Sequence, residues 1–252
     1  MTDLLRYHWV LLLVAAPCVG SFIGVVVARL PQGRPFGFVR SACPACDHVL
    51  SWADLVPILG WVMRRGRCGY CGAAISPAYP AVELAALGIA VWSLAVMPGW
   101  LAWAGSGFGW TLLTLAWIDA RHLVLPDELT LPLVPAGLAV AWAVDPGRLG
   151  DHVIGTVGGF AAIWALRWLY GRLRGREGIG LGDAKLLAAG GAWVGWQGLA
   201  GGLLIAALAA LLAHALRARL RGERLGGREL PFGPYLAAGL WITWLYGPLT
   251  VG

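Results

Sequence analysis

Four cysteines stand in two pairs, Cys43-Pro44-Ala45-Cys46 and Cys68-Gly69-Tyr70-Cys71, with 21 residues between them. A Cys-x-x-Cys turn presents two sulfurs on one side of a tight loop. Two such turns complete a tetrahedral thiolate site, close to the spacing of zinc ribbons. Four protein ligands saturate the ion, so its chemistry is structural. It staples a segment of about fifty residues that has too little core to fold alone. The competing reading is a redox pair or two disulfides, but no βαβ pattern surrounds either pair. The fifth cysteine, Cys18, lies alone in an apolar run and reads as packing.

The thirteen acidic residues sort by position. Asp3, Asp145, Asp151, Asp47, Asp54, Glu223 and Glu229 fall in polar connections and read as solvated charges. Asp119, at the end of one apolar run, and Asp183, at the start of another, stand where an ionisable side chain is costly and marks a functional site by default. Asp119 opens Asp119-Ala120-Arg121-His122-Leu123-Val124-Leu125-Pro126-Asp127, and Asp183 closes Gly180-Leu181-Gly182-Asp183, two residues before Lys185. No strand precedes Gly178–Gly182, so these glycines are not a dinucleotide loop. They allow close backbone approach, bringing Asp183 to a neighbouring helix. Asp127 and Glu83 stand near helix starts, where an acid is favoured. Asp127 reads as a helix cap.

The elements that must position these groups are membrane helices. The chain has 252 residues, 59% hydrophobic and only 13% charged, against roughly 25% charged in soluble domains. Fifteen Trp and 37 Gly suit interfacial belts and close helix packing. About eight apolar runs reach spanning length: 8–28, 80–97, 100–118, 129–145, 152–171, 184–198, 199–217 and 232–250. The division near Gly198 falls inside a continuous apolar run. With the N-terminus outside, all but Arg6 and Arg148 of the nineteen basic residues lie on the cytoplasmic side. The net charge of +6 is therefore topological and implies no nucleic-acid partner. Cytoplasmic placement of residues 29–79 also argues against disulfides. No internal repeat is visible.

Taken together, these pieces resemble the bacterial type IV prepilin peptidases, membrane aspartic proteases of the GxGD kind found in type IV pilus and type II secretion systems. The resemblance rests on Gly20-Ser21-Phe22-Ile23 through Arg29-Leu30-Pro31, the two cysteine pairs, Gly66-Arg67-Cys68, and Tyr79-Pro80 with Glu83. It continues through Asp119–Asp127, the Gly180–Asp183 box with Lys185, and Pro231-Phe232-Gly233-Pro234. The chain departs from the pattern at Gly24, where Asn is usual, and at Ala78, where Arg is usual.

The resemblance implies an all-α polytopic membrane protein. Residues 1–28 would be a first transmembrane helix, 29–79 a cytoplasmic domain holding zinc through Cys43, Cys46, Cys68 and Cys71, and 80–252 the protease domain. It implies that Asp119 and Asp183 are the catalytic dyad. Two facing carboxylates share a proton, one activating water and the other binding the scissile carbonyl. The substrates implied are prepilins and pseudopilins, cut at the cytoplasmic face of the bacterial inner membrane within the lipid bilayer. S-adenosylmethionine is implied as a methyl donor for the new N-terminus, with Glu83 the one candidate contact. Two alternatives stand beside this reading, a peptidase without methyl transfer and a non-enzymatic transporter or scaffold. Zinc-protease and serine mechanisms lack parts: there is no His-Glu-x-x-His, and Ser106 has no nearby His.

Overall fold

The computed structural model describes residues 7–37, 40–174, 180–221 and 231–248. The basic residues Arg6, Arg176, Arg224 and Arg228, used above for orientation, lie outside them, as do Asp3, Glu223 and Glu229. Among the described residues every named element is a helix, and strand pairing is confined to two isolated bridges. The α-helices are α1 (His8–Arg29), α2 (Leu59–Met63), α3 (Ala78–Val96), α4 (Trp100–His122), α5 (Asp127–Val144), α6 (Leu149–Arg174), α7 (Leu181–Arg221) and α8 (Gly233–Tyr246). Six of them, α1 and α3 to α7, are long and apolar enough to cross a membrane. The chain divides into two compact units, 1–110 and 111–252, with the boundary inside α4.

In the first unit α1 and α3 run antiparallel in close contact. A methyl group on Gly20 would fall 2.5 Å from Glu83 Cα, and one on Gly24 would fall 3.3 Å from the Tyr79 ring. Gly20 lets the two backbones approach directly, while Gly24, one turn on, makes room for the Tyr79 ring. Gly24, a departure from the family pattern, thus meets the neighbour of the other departure, Ala78. Farther along, Leu12, Ala16, Ala90 and Ala102 form a buried cluster, capped by Leu13, Leu87 and Trp110. The Trp110 indole donates to the Ala86 carbonyl at 2.9 Å, giving a buried indole N–H its partner.

In the second unit the long helix α7 is not straight. Gly195 has φ 69° and ψ 173°, a conformation open to glycine and closed to residues with a Cβ. An added methyl on Gly190 would strike Leu240, one on Gly202 would touch the same side chain, and one on Gly159 would meet both Leu187 and Leu199. Twelve residues of straight helix would separate such partners by about 18 Å. The chain therefore folds back at Gly195, and the two limbs of α7 share α6 and α8 as neighbours. At this turn Trp196 donates to Asp151 at 3.1 Å and Arg148 to Gln197 at 2.9 Å.

The eight-span expectation is revised by these features. The division expected near Gly198 falls at Gly195, because that glycine adopts the left-handed conformation. The run 232–250 forms a helix of only 14 residues, Gly233–Tyr246, short of the roughly 20 that cross a bilayer unaided. Gly247, at φ 83°, ends it.

Candidate active site and candidate metal centre

The two cysteine pairs adopt one conformation twice. In each, the first cysteine's carbonyl accepts from the amide four residues on, Asp47 to Cys43 and Gly72 to Cys68. That fourth residue is left-handed in both, Asp47 at φ 54° and Gly72 at φ 72°. The first cysteine's amide then donates to the carbonyl of the fifth residue, His48 or Ala73. Bridges Ala42–Val49 and Arg67–Ala74 close each turn. The repeat is conformational, carried by backbone hydrogen bonds, and only the cysteines betray it in the sequence. The rings of His48 and Tyr70, one from each turn, stack with centroids 3.5 Å apart.

This pairing gathers Cys43, Cys46, Cys68 and Cys71 with all four sulfurs within 4.8 Å of one another. Cys43 and Cys71 Sγ are 3.9 Å apart, too far for a disulfide bond. A tetrahedral ion with metal–sulfur bonds of about 2.3 Å needs sulfurs about 3.8 Å apart. The donor chemistry agrees. The His48 amide favours the Cys46 thiolate, but desolvation and the sulfurs of Cys71 and Cys43 override it and push the Cys46 thiol up to about 12. The amides of Cys71 and Tyr70 hold the Cys68 thiol down at about 7. Sulfurs this close ionise together only around a cation. The four cysteines are thus positioned to bind a metal ion.

The second unit carries the carboxylates. Asp119, one turn from the end of α4, is buried and accepts a hydrogen bond of 2.9 Å from the backbone amide of Gly233, the first residue of α8. A methyl group on Gly233 would lie 2.7 Å from Asp119 Oδ2, so only glycine lets the α8 amide reach the carboxylate. Leu123 then turns the chain, with φ 55° and its amide donating to the Asp119 carbonyl at 2.9 Å. Asp183 is the third residue of α7, half-buried, with Asp119 within electrostatic reach. Gly182 makes the approach possible, since a methyl there would crowd Leu125 at 3.0 Å.

Beside this pair, Lys185 donates to both oxygens of Asp127, at 2.6 and 2.7 Å. Asp127 is the first residue of α5 and its side chain makes no cap. It stands at the helix N-terminus, where an acid is favoured as expected, but in place of a capping hydrogen bond it ties α5 to α7. A partner 58 residues away was not legible in local spacing.

Glu83 lies elsewhere, buried in the first unit. Its Oε2 accepts from the Ile58 amide at 2.6 Å, and the Ser21 hydroxyl also donates to it. Ile58 is a β-branched residue at φ 62°, ψ −55°, with the Leu59 amide bonded back to Pro57 at 2.6 Å. This is the rare, strained form of γ-turn, and no sequence signal marked it. His214 faces Tyr235, ring centroids 6.4 Å apart. Ser106 donates to Ala102 at 2.7 Å within its own helix.

Residues 14–97 match the family profile of the bacterial peptidase A24 N-terminal domain, and residues 106–215 match the type IV leader peptidase family. Curated relatives align over nearly the whole chain. The prepilin leader peptidase/N-methyltransferase of Burkholderia pseudomallei is 42% identical over 91% of this chain and 82% of its own length. That of Aeromonas hydrophila is 39% identical over 91% and 87%, and that of Pseudomonas aeruginosa 36% over 91% and 87%. No solved structure matches the chain.

Proposed function

The chain belongs to the type IV leader peptidase family, and from that premise we propose that it cuts the leader from prepilins and pseudopilins with Asp119 and Asp183 as an aspartic dyad. The observation that carries the assignment is the buried Asp119, oriented by the Gly233 amide, with Asp183 within electrostatic reach on the start of a second helix. In such a dyad one proton is shared between the two carboxylates. The ionised one takes a proton from water, whose oxygen attacks the scissile carbonyl. The protonated one donates a hydrogen bond to the carbonyl oxygen as charge builds there. Collapse of the tetrahedral species expels the amine, which takes up a proton from the dyad, so no covalent enzyme intermediate forms.

Asp119 and Asp183 lie at the ends of their helices, so the scissile bond is met at the membrane boundary. The distribution of basic residues supports a cytoplasmic boundary, with the N-terminus outside. Zinc is the ion whose preferred coordination four clustered thiolates meet. It would supply a structural crosslink between the two turns, held by Cys43, Cys46, Cys68 and Cys71. Methylation of the new N-terminus with S-adenosylmethionine follows the relatives' names. Glu83, which also fastens the cysteine-bearing segment through the Ile58 amide, is the candidate contact for the donor.

The test is cleavage of a prepilin by protein in lipid, comparing wild type with Asp119→Asn and Asp183→Asn. Asn keeps the shape and cannot exchange the proton. Loss of cleavage in both, with metal content and melting unchanged, supports the dyad; wild-type cleavage by either overturns it.

A further inference from the structure

The helix α2, Leu59–Met63, has two faces of opposite character. Its inner side carries Trp61, whose indole donates to the Ile75 carbonyl at 3.1 Å, and Gly60, pressed on the Asp54 carbonyl. On the outer side Leu59, Val62 and Met63 fall within one arc, at i, i+3 and i+4, and each is more than half exposed. Trp52, just upstream, is 85% exposed. Apolar side chains grouped in this way mark a contact surface.

The depth of this ridge is fixed by the Glu83 contact. Glu83 lies five residues inside α3, about 7 Å along the axis from Ala78, and its carboxylate holds the amide of Ile58, the residue before α2. The ridge therefore begins alongside the first turns of a helix apolar enough to cross a bilayer. Because α1 and α3 are antiparallel, with Gly24 against Tyr79 and Gly20 against Glu83, the segment leaves and re-enters at one membrane face. Its charge suits an anionic surface. Residues 33–77 hold five arginines against two aspartates, and one of those, Asp54, is paired with Arg64 at 2.8 Å. Arg65 and Arg67 follow the ridge and are exposed. Arg40 shares the lining of a cavity of about 210 Å³ with Trp52, Ser41, Leu50 and Leu55.

We propose that the ridge of Trp52, Leu59, Val62 and Met63 seats the cysteine-bearing segment in the headgroup layer of an anionic lipid leaflet, with Arg40, Arg65 and Arg67 against the phosphates. An apolar ridge edged by arginines is how interfacial helices bind, and Trp is at home at this depth. The occupant is lipid because the ridge starts beside the opening turns of a helix apolar enough to cross a bilayer, and its edge is basic. The proposal stands independently of the peptidase reading, since no residue of the dyad takes part.

The test uses the full chain in nanodiscs of phosphatidylcholine alone and of phosphatidylcholine with phosphatidylglycerol. Amide hydrogen exchange over residues 50–66 is read together with photocrosslinking from p-benzoylphenylalanine in place of Met63. Exchange should be at least about tenfold slower in the anionic discs, since each basic residue at such a surface favours contact by roughly a factor of five. The crosslinked mass should be that of a phospholipid. The double variant Arg65→Gln, Arg67→Gln should lose most of the dependence on lipid charge while keeping its metal. Equal exchange in the two lipids overturns the proposal, as does a crosslink to a peptide of this chain or of an added prepilin.

Discussion

Replacing Gly233 by alanine tests the site geometry at its tightest point. The new methyl would stand 2.7 Å from Asp119 Oδ2 and 3.1 Å from Asp119 Cβ, where ordinary contact begins near 3.4 Å. One side must yield by roughly 0.7 Å. Asp119 is buried on α4, and α8 is wedged against both limbs of α7 through Leu240, so neither partner can move freely. The overpacking should cost about 1–3 kcal/mol of stability. The chemical effect is larger, because a shift approaching 1 Å in a reacting group costs on the order of 10²-fold in rate. Gly233→Ala should therefore lower kcat for leader cleavage by roughly 10- to 100-fold with little change in KM. The control is Gly158→Ala in α6, where an added methyl meets nothing within 4 Å; it should cleave normally. The assay is turnover of a prepilin in lipid, with melting followed in parallel. Cleavage by Gly233→Ala within twofold of wild type would refute the idea that the Gly233 amide positions Asp119.

Four further outcomes follow from the same geometry. Cys43→Ser should release the metal and raise amide exchange across residues 41–75, while α3 to α8 keep their helicity; metal content by mass spectrometry and exchange read both. Lys185→Asp and Asp127→Lys should each depress cleavage by putting like charges at a contact of 2.6 Å, and the double swap should recover most of it; no recovery would show the ion pair to be incidental. The Ser51 hydroxyl, with the Ser51 amide and Arg64 in support, holds the Asp54 carboxyl below its ordinary value. A depressed carboxyl adds stability that is full above the unfolded value near pH 4 and is lost as pH falls through the folded one; wild type should lose protection over residues 51–66 below pH 4, and Asp54→Asn should show a flat, weaker profile. Glu83→Gln can still accept at one oxygen but loses the charge-assisted bond to Ile58, so exchange at Ile58 and Leu59 should rise severalfold with metal content unchanged.

How far the sequence reaches depends on the range of the interaction concerned. The cysteine pairs were legible because a Cys-x-x-Cys turn is local chemistry, and both aspartates were legible because charge at a helix boundary is rare in an apolar chain. The eight-segment reading set the division of α7 near Gly198 rather than at Gly195 and carried the last segment past the end of α8. Hydropathy averages over a window and is blind to one left-handed glycine among Gly190, Gly191, Gly195 and Gly198. It likewise extended the last run through Gly247, where the helix stops. The contacts that orient the site were hidden altogether. Asp119 and Gly233 are 114 residues apart, Lys185 and Asp127 58, and Glu83 and Ile58 25.

Those three contacts share a feature that sequence patterning cannot register. In each, a carboxylate is met by a donor whose position is set by backbone geometry: the first amide of α8, a lysine in the opening turns of α7, the amide of a strained turn before α2. The two buried carboxylates, Asp119 and Glu83, need such partners because a buried polar group without a hydrogen bond is costly. Glycines, which carry no charge, permit the close packing at both: Gly233 at Asp119 and Gly20 at Glu83. The residues proposed to do chemistry are therefore conspicuous, and the residues that would aim them are not. For this chain the aiming residues are the more demanding test. An asparagine at Asp119 removes a reacting group under any aspartic mechanism, whereas an alanine at Gly233 removes activity only if this particular amide orients this particular carboxylate.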